Sequence, residues 1–317
     1  RGEVRDEPFR HRHDPPPEYE FAGPSVVYPT GYEGQLPWRY VPSPHTADVT
    51  GRVLLPTAGD GFCWVWLEDF LRLSSPSVTE PLLAWLVGAA RRTDVGDFPV
   101  CFLGGSSGVG KSSLAHLALQ LVGSALELDL GANTPYVLLR TLASSSTLPV
   151  FVDEWTRISR RDSREALQGA IPTLYAGGLA ERGQSDLTTV AYRLAAPTLV
   201  AGEDTFTLAR ELDRLVALSP THAAQDPDAL ARLQGKPLER FGQLLHGWLA
   251  QPGLELEPFP LASPTRPEHN RSCLLVGWAT LCELLADAAR HGEDVPDLPP
   301  EPDLSALETT AGEVREN

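Results

Sequence analysis

The 317-residue chain contains no methionine, only four cysteines, and only two lysines, Lys111 and Lys236. The cysteines are scattered, without a C-x-x-C pair or a histidine at ligand spacing, which argues against a zinc site or a disulfide framework. Apolar runs are also short: the longest candidate, "PLLAWLVGAA" at 81–90, is half a membrane span and predicts a buried helix. We therefore expect a cytoplasmic protein with no membrane partner. The missing initiator methionine favours an excerpt of a longer protein over a processed chain.

The net charge of −16 argues at first against a nucleic-acid partner. The acidic residues are unevenly placed, however. Residues 283–317 hold ten Asp and Glu against two Arg, whereas 98–220 hold twelve against ten Lys and Arg. Such an acidic tail is typically solvated and disordered, with a regulatory or partner-binding role as the alternative. The nearly neutral middle of the chain leaves nucleic acid open as a partner.

Composition divides the chain into five expected segments. Residues 1–20 are Pro-rich, charged and expected to be disordered. Short apolar pieces such as "GRVLLP" and "FCWVWLEDFL" predict a small β-rich module at 21–75. The remaining segments are a larger domain at 76–220, whose motifs are described below, a helical region at 221–292 and an acidic, Pro-rich tail at 293–317.

Strands and helices alternate within 76–220. The first helix is expected near Ser77 and Glu80, which have capping-box spacing. Three apolar runs, "FPVCFL", "LPVFVDEW" and "APTLVAGE", predict strands. Helical patterns lie between the first and second of these strands, and one of them has Thr134 as N-cap. A helix over 160–175 and a Gly-rich hairpin over 177–194 lie between the second strand and the third. This alternation predicts an α/β fold with a parallel sheet covered on both faces.

The stretch "LGGSSGVGKSS" at 103–113 has the form of a phosphate-binding loop, matching G-x-x-x-x-G-K-[ST] at every fixed position. Glycines let successive backbone N–H groups point at phosphate oxygens, and the following helix adds its positive end. Lys111 would bridge the β- and γ-phosphates, and the Ser112 hydroxyl would bind Mg²⁺. The predicted ATP-binding residues are Gly105, Ser106, Ser107, Gly108, Val109, Gly110, Lys111, Ser112 and Ser113.

The run "VFVDEW" supplies a pair of carboxylates after a buried strand. Asp153 would hold Mg²⁺ through water, and Glu154 would orient and partly deprotonate an attacking water as general base. Kinases of small molecules do not need a water-activating Glu at this point. The pair therefore favours ATP hydrolysis over phosphate transfer.

Two further elements are candidates for sensing the γ-phosphate. Glu203 and Thr205 follow the third strand, where a polar side chain can contact that phosphate. Arg210 and Arg214 lie in "LARELDRLVALSP", and Arg214 is the better candidate for an arginine finger acting in trans on a neighbouring subunit. The alternative for Arg214 is a surface ion pair with Glu211 or Asp213.

The order of "FLGGSSGVGKSS", "LPVFVDEW", a hairpin, "APTLVAGED" and an Arg-bearing segment resembles the helicase domain of phage and mobile-element primase–helicases. These are relatives of the superfamily 3 helicases in the AAA+ class of P-loop ATPases. The resemblance implies a ring, usually hexameric, that hydrolyses ATP between subunits and moves along DNA. It also implies that the hairpin contacts DNA, with Arg182 at its tip as the candidate. The family has an Asn at the end of the sensor strand, and "LVAGED" has none.

The expected architecture is thus an AAA+-like P-loop parallel sheet with flanking helices, a small β-rich N-terminal part and a helical C-terminal part. Our first functional hypothesis is an ATP-hydrolysing motor on DNA, a helicase or translocase of a phage or mobile element, working as a homo-oligomer. The alternatives are an AAA+-like switch that assembles on a protein partner in regulation or defence, and a small-molecule kinase.

Overall fold

The computed structural model describes most of the chain from residue 62 onward. The described residues are 62–92, 97–124, 127–129, 134–143, 145, 147–153, 161–183, 189–203, 209–249, 254–256, 258–259, 265–305 and 307. The helices are α1 (Val65–Leu71), α2 (Pro76–Ala90), α3 (Lys111–Leu121), α4 (Pro135–Leu142), α5 (Arg161–Ala176), α6 (Ala209–Leu212), α7 (Pro227–Leu233), α8 (Glu239–Leu249) and α9 (Arg266–Arg290). The strands are β1 (Val100–Gly104), β2 (Glu127–Asp129), β3 (Val150–Asp153), β4 (Leu179–Gly183), β5 (Thr189–Arg193), β6 (Thr198–Gly202) and β7 (Leu215–Leu218).

Five strands form one parallel sheet in the order β2-β3-β6-β1-β7. The strands β1 and β6 are buried along their whole length, and β3 is buried up to Asp153, because helices cover both faces of the sheet. The predicted α/β fold with a parallel sheet is confirmed. The strands β2 and β7 were not predicted, since three- and four-residue strands carry little periodicity.

The position of β6 decides which residues can meet at the functional end of the sheet. It pairs with β1 on one side, with Gly202 opposite Gly104, and with β3 on the other. Parallel strands end at the same edge, which we call the carboxyl edge. The loops after β1, β3 and β6 therefore leave the sheet side by side.

The predicted helix ends are partly confirmed. Thr134 caps α4 by accepting a hydrogen bond from the backbone N–H of Val137. The helix α2 begins two residues earlier than expected, with Ser75 as N-cap and Pro76 in its first turn. Consequently Ser77 is not a cap, and the carboxylate of Glu80 accepts a hydrogen bond from the Asp303 backbone N–H instead.

The predicted hairpin is confirmed as the antiparallel pair β4 and β5. Arg182 lies within β4, opposite Val190, and one further pair, Gly183 with Thr189, follows before the connection. Arg182 is therefore close to the tip rather than at it. The connection itself, 184–188, lies outside the described residues.

The long helix α9 packs along α2 and forms the core of the helical C-terminal part. Its start is fixed by a capping box, in which Thr265 and Glu268 exchange hydrogen bonds. The two helices approach closely at Gly277, where a Cβ atom would run into the carbonyl oxygen of Ala84. By length and composition α9 could cross a membrane, but half of its apolar window is buried within the fold. This burial is the behaviour of a core helix.

Two expectations about the flanking segments need correction. The last apolar piece of the predicted β-rich module, Val65–Leu71, is the helix α1, not a strand; residues 1–61 lie outside the described part. The first half of the acidic tail is packed rather than solvated. Leu304 is buried in the core, and the indole N–H of Trp278 donates to the carbonyl of Pro299 at 2.8 Å. The acidic side chains of this segment are exposed, whereas Pro296, Pro302 and Leu304 between them are buried.

Candidate functional site

The loop between β1 and α3 has the backbone of a phosphate cradle. Gly105, Gly108 and Gly110 have φ values of 141°, 83° and 78°, which L side chains rarely adopt. Gly110 is also the N-cap of α3, so the helix begins directly at Lys111. The helix N-terminus, with its unpaired N–H groups and positive dipole end, thus points at the carboxyl edge.

The Lys111 side chain bonds to the first residues of this loop. Its Nζ donates to the carbonyl oxygens of Gly105 and Ser106, both at 2.7 Å. An ammonium group held by neutral carbonyls remains available to a stronger acceptor, because charge-assisted bonds to anionic oxygens are about twice as strong as neutral ones. The geometry suits an ammonium that bridges phosphate oxygens at the mouth of the loop.

Ser112 in the first turn of α3 and Asp153 at the end of β3, the two candidate metal ligands, are in contact. The Ser112 hydroxyl donates to Oδ1 of Asp153 at 2.9 Å. A hydroxyl and a carboxylate in contact form a set of hard oxygen ligands, which is the donor chemistry that Mg²⁺ prefers beside phosphates. These two residues therefore fit a magnesium ion.

A cleft of about 280 Å³ opens over the loop. The predicted loop residues that line it are Ser107, Gly108, Gly110, Lys111, Ser112 and Ser113, joined by Asp153 from β3. Gly105 and Ser106 contribute the carbonyls that hold Lys111, and Val109 is buried below the loop. From β6 and its end come Ala201, Gly202 and Glu203. The structure thus brings Glu203, one of the two sensor candidates, to the same cleft.

Several candidates cannot be placed. Glu154 and Thr205 lie outside the described residues, as do the side chains of Arg182 and Arg210. The roles assigned to them from the sequence stay predictions.

Arg214 lies far from the cleft of its own chain. It precedes β7, and its carbonyl accepts a hydrogen bond from the N–H of Val100 at the start of β1, which is the edge opposite to the phosphate loop. The guanidinium carbon lies 5.8 Å from the ring centroid of Tyr175. Arg214 therefore does not line the cleft of its own chain, and its guanidinium lies over the ring of Tyr175 instead.

The segment 220–225, which follows β7, was missed from the sequence. It lies beside the phosphate loop, because β7 is the neighbour of β1 and both strands end at the carboxyl edge. The Gln225 amide donates to the carbonyl oxygen of Val109 at 2.6 Å. The short apolar run "LVAL" before "SP" was the only sequence signal for β7. A four-residue run does not reveal which strand lies next to it in the sheet.

The fold and this site define the class of protein: an α/β protein of the P-loop NTPase type. The chain has a parallel sheet, a glycine-rich loop between β1 and α3, and an acidic residue at the end of β3 that contacts the first turn of α3.

Comparison with known proteins gives structural neighbours only. No protein-family model and no curated protein matches the chain. Among solved structures, the NrS-1 C-terminal region in its A form has a TM-score of 0.38 at 15% identity, over 72% of this chain and 54% of that one. The JCV helicase has a TM-score of 0.38 at 13% identity, over 76% and 69%. A full-length MCM homolog from Methanopyrus kandleri has a TM-score of 0.36 at 16% identity, over 81% and 56%.

The chain thus spans about half the length of the NrS-1 structure it matches. The neighbours include a helicase, in keeping with the resemblance predicted from the sequence. At these TM-scores they carry no argument about this chain's activity, and the fold assignment rests on its own sheet and loop.

Proposed function

We propose that this chain is an ATP-hydrolysing P-loop motor that acts on DNA, a helicase or translocase of a phage or mobile genetic element. The observation that carries the proposal is the contact between Ser112 and Asp153 beside the glycine loop. It joins a phosphate-binding turn to a carboxylate in the arrangement that a Mg²⁺–nucleotide requires. We place the protein in the cytoplasm and expect it to act as a homo-oligomer, in a ring that is hexameric in the family it resembles.

Each residue of the site has a stated task in this proposal. Backbone N–H groups of 106–111 and the ammonium of Lys111 bind the triphosphate. Ser112 and Asp153 hold Mg²⁺, which neutralises charge on the phosphate oxygens when bound. Glu154 orients the attacking water and accepts its proton. Arg214 acts on the γ-phosphate held by a neighbouring subunit, and Arg182 contacts DNA.

The first experiment is steady-state ATP hydrolysis at low salt, with and without single- and double-stranded DNA. Lys111→Ala is expected to lower kcat by a factor of about 100 or more, because it removes a charged group that stabilises the transition state. Lys236→Ala is the matched control, since it removes the only other lysine and leaves the loop intact. A rate that falls equally in both variants would count against the assigned site.

Activation by DNA decides whether the ATPase is a motor on DNA. We expect DNA to raise the rate several-fold, and Arg182→Ala to raise the DNA concentration needed for half-activation. Arg193→Ala, at the other end of the hairpin, is the control, because Arg193 is exposed opposite Leu179 rather than near the tip. A real rate that ignores DNA would reject this function.

Action between subunits is tested by mixing two inactive variants. A mixture of Lys111→Ala and Arg214→Ala subunits contains pairs in which one chain supplies Lys111 and its neighbour supplies Arg214. Activity is expected to return in the mixture. If it does not, Arg214 serves only the contact with Tyr175 described above.

A second function is favoured by the net charge of −16. An acidic chain suits a protein partner better than DNA. In this alternative the same site drives an AAA+-like switch that assembles on that partner. A stoichiometric protein partner, together with no affinity for DNA at low salt, would establish it.

A further inference from the structure

The outer side of the phosphate loop rests on the segment 220–225. A Cβ atom placed on Gly105 would lie 3.5 Å from the carbonyl oxygen of Pro220, and one on Gly108 would lie 3.6 Å from Nε2 of His222. One on Gly110 would lie 2.7 Å from Nε2 of Gln225. Three glycines of the loop therefore face the same short segment. The loop thus lies between this segment on one side and the cleft on the other.

Gln225 makes the shortest of these contacts. Its side-chain amide donates to the carbonyl oxygen of Val109 at 2.6 Å. In a loop whose N–H groups turn toward phosphate, the carbonyl groups turn outward and need donors of their own. The bond is part-buried, so losing it costs about the net value of one hydrogen bond. The amide holds the peptide before Gly110 in place without adding a charge behind the phosphates.

The helix that follows Gln225 is anchored at its start and to a neighbouring helix. The next residue, Asp226, caps α7 by accepting hydrogen bonds from the N–H groups of Asp228 and Ala229. The helix α7 is tied to α1 by Arg232, whose Nε and terminal N donate to the buried Oδ1 of Asp69 at 2.9 and 2.7 Å. The amide is therefore presented from the end of an anchored helix, and not from a free loop.

We propose that Gln225 is a positioning residue for nucleotide binding: its amide fixes the Val109 carbonyl, and so preorganises the N–H groups that receive the phosphates. This inference rests on the nucleotide binding proposed above. A glycine-rich loop has much conformational freedom to lose, and a loop that is already ordered loses less when the ligand binds. The effect of Gln225 is therefore on affinity for the nucleotide.

The test measures binding of a fluorescent ADP analogue and the kinetics of ATP hydrolysis. Gln225→Ala removes the donor, and Gln225→Glu replaces it by an acceptor that repels both the carbonyl and the phosphates. We expect Kd and KM to rise about 2- to 10-fold for Gln225→Ala, the range of one net hydrogen bond, and further for Gln225→Glu. The kcat at saturation is expected to stay within about 2-fold, because bound phosphates then order the loop. Gln234→Glu, at the exposed C-cap of α7, is the charge-matched control.

The outcomes separate this inference from the proposed function. Wild-type protein that binds no nucleotide refutes the proposed function. Wild-type protein that binds, with Gln225→Ala and Gln225→Glu binding equally well, refutes the positioning role alone. A fall in kcat at an unchanged KM also refutes it, because preorganisation of the loop acts on binding.

Discussion

Gly110 is the residue of the phosphate loop at which a single methyl group should do the most damage. Its backbone has φ 78° and ψ 15°, in the left-handed region. An L side chain there brings Cβ too close to the neighbouring carbonyl oxygen and costs about 1–2 kcal/mol. Gly110→Ala is therefore expected to strain the loop even where space is available.

Space is also lacking at this position. The new Cβ would lie 2.7 Å from Nε2 of Gln225, so the amide must move away and give up its bond to the Val109 carbonyl. One such hydrogen bond contributes about 0.5–1.5 kcal/mol. Together with the backbone strain, we expect Gly110→Ala to lower the free energy of unfolding by about 2–3 kcal/mol.

The assay is equilibrium unfolding in urea, with Gly169→Ala as the control. Gly169 lies within α5, and a Cβ there meets no atom within 4 Å. Alanine at this helical position is expected to stabilise the protein by about 0.5–1 kcal/mol, since it reduces the freedom of the unfolded chain. The two substitutions add the same methyl group and differ only in backbone conformation and surroundings.

A double variant isolates the contribution of Gln225. Gly110→Ala and Gln225→Ala each abolish the same hydrogen bond, so the combined variant loses it once. Its destabilisation should be smaller than the sum of the single ones by about 1 kcal/mol. Strict additivity would show that the amide does not lie beside Gly110. A Gly110→Ala variant as stable as Gly169→Ala would refute the left-handed turn itself.

Three further predictions concern the rest of the fold. Gly277→Ala is expected to cost about 1–3 kcal/mol in urea unfolding, because its Cβ meets the Ala84 carbonyl between α2 and α9; equal effects of Gly277→Ala and Gly169→Ala would contradict the close helix packing. Leu304→Ala should cost about 2 kcal/mol or more in the same assay, since Leu304 is buried, whereas a solvated tail would show no change. Burial lowers the pKa of His246 to about 4, so between pH 6.5 and 4 the unfolded chain binds a proton that the native protein does not. The free energy of unfolding should therefore fall by about 3 kcal/mol as the pH drops through that window. His246→Gln should remove this part of the pH dependence. A His246→Gln variant with the pH profile of the wild type would contradict the burial of His246.

Much of the local structure could be predicted from the sequence. The buried runs ending at Gly104, Asp153 and Gly202 are strands, and Thr134 caps its helix, because apolar periodicity and capping residues act over a few positions. The start of α2 was placed two residues late, since Ser75 and Ser77 are both good caps and only packing chooses between them. The apolar piece at Val65–Leu71 was assigned to a β-rich module because a short apolar run does not separate helix from strand.

The sequence by itself determined where the glycine-rich loop lies and which acidic residue contacts the helix that follows it. The spacing of Gly105, Gly110, Lys111 and Ser112, with an acidic residue after a buried strand, is the pattern from which a site for Mg²⁺ and a triphosphate is predicted. Such a motif is local, so the kind of ligand it would bind can be predicted without knowing which other residues lie near it in the fold.

Only the tertiary structure decided which other residues meet that loop. It placed β6 between β1 and β3, which brings Glu203 to the cleft, and β7 beside β1, which brings Gln225 behind the loop. It placed Arg214 at the opposite edge and packed Leu304 into the core. Strand order and long-range contacts follow from burying the faces of all elements at once. The spacing of residues along the chain does not reveal how these faces pack together.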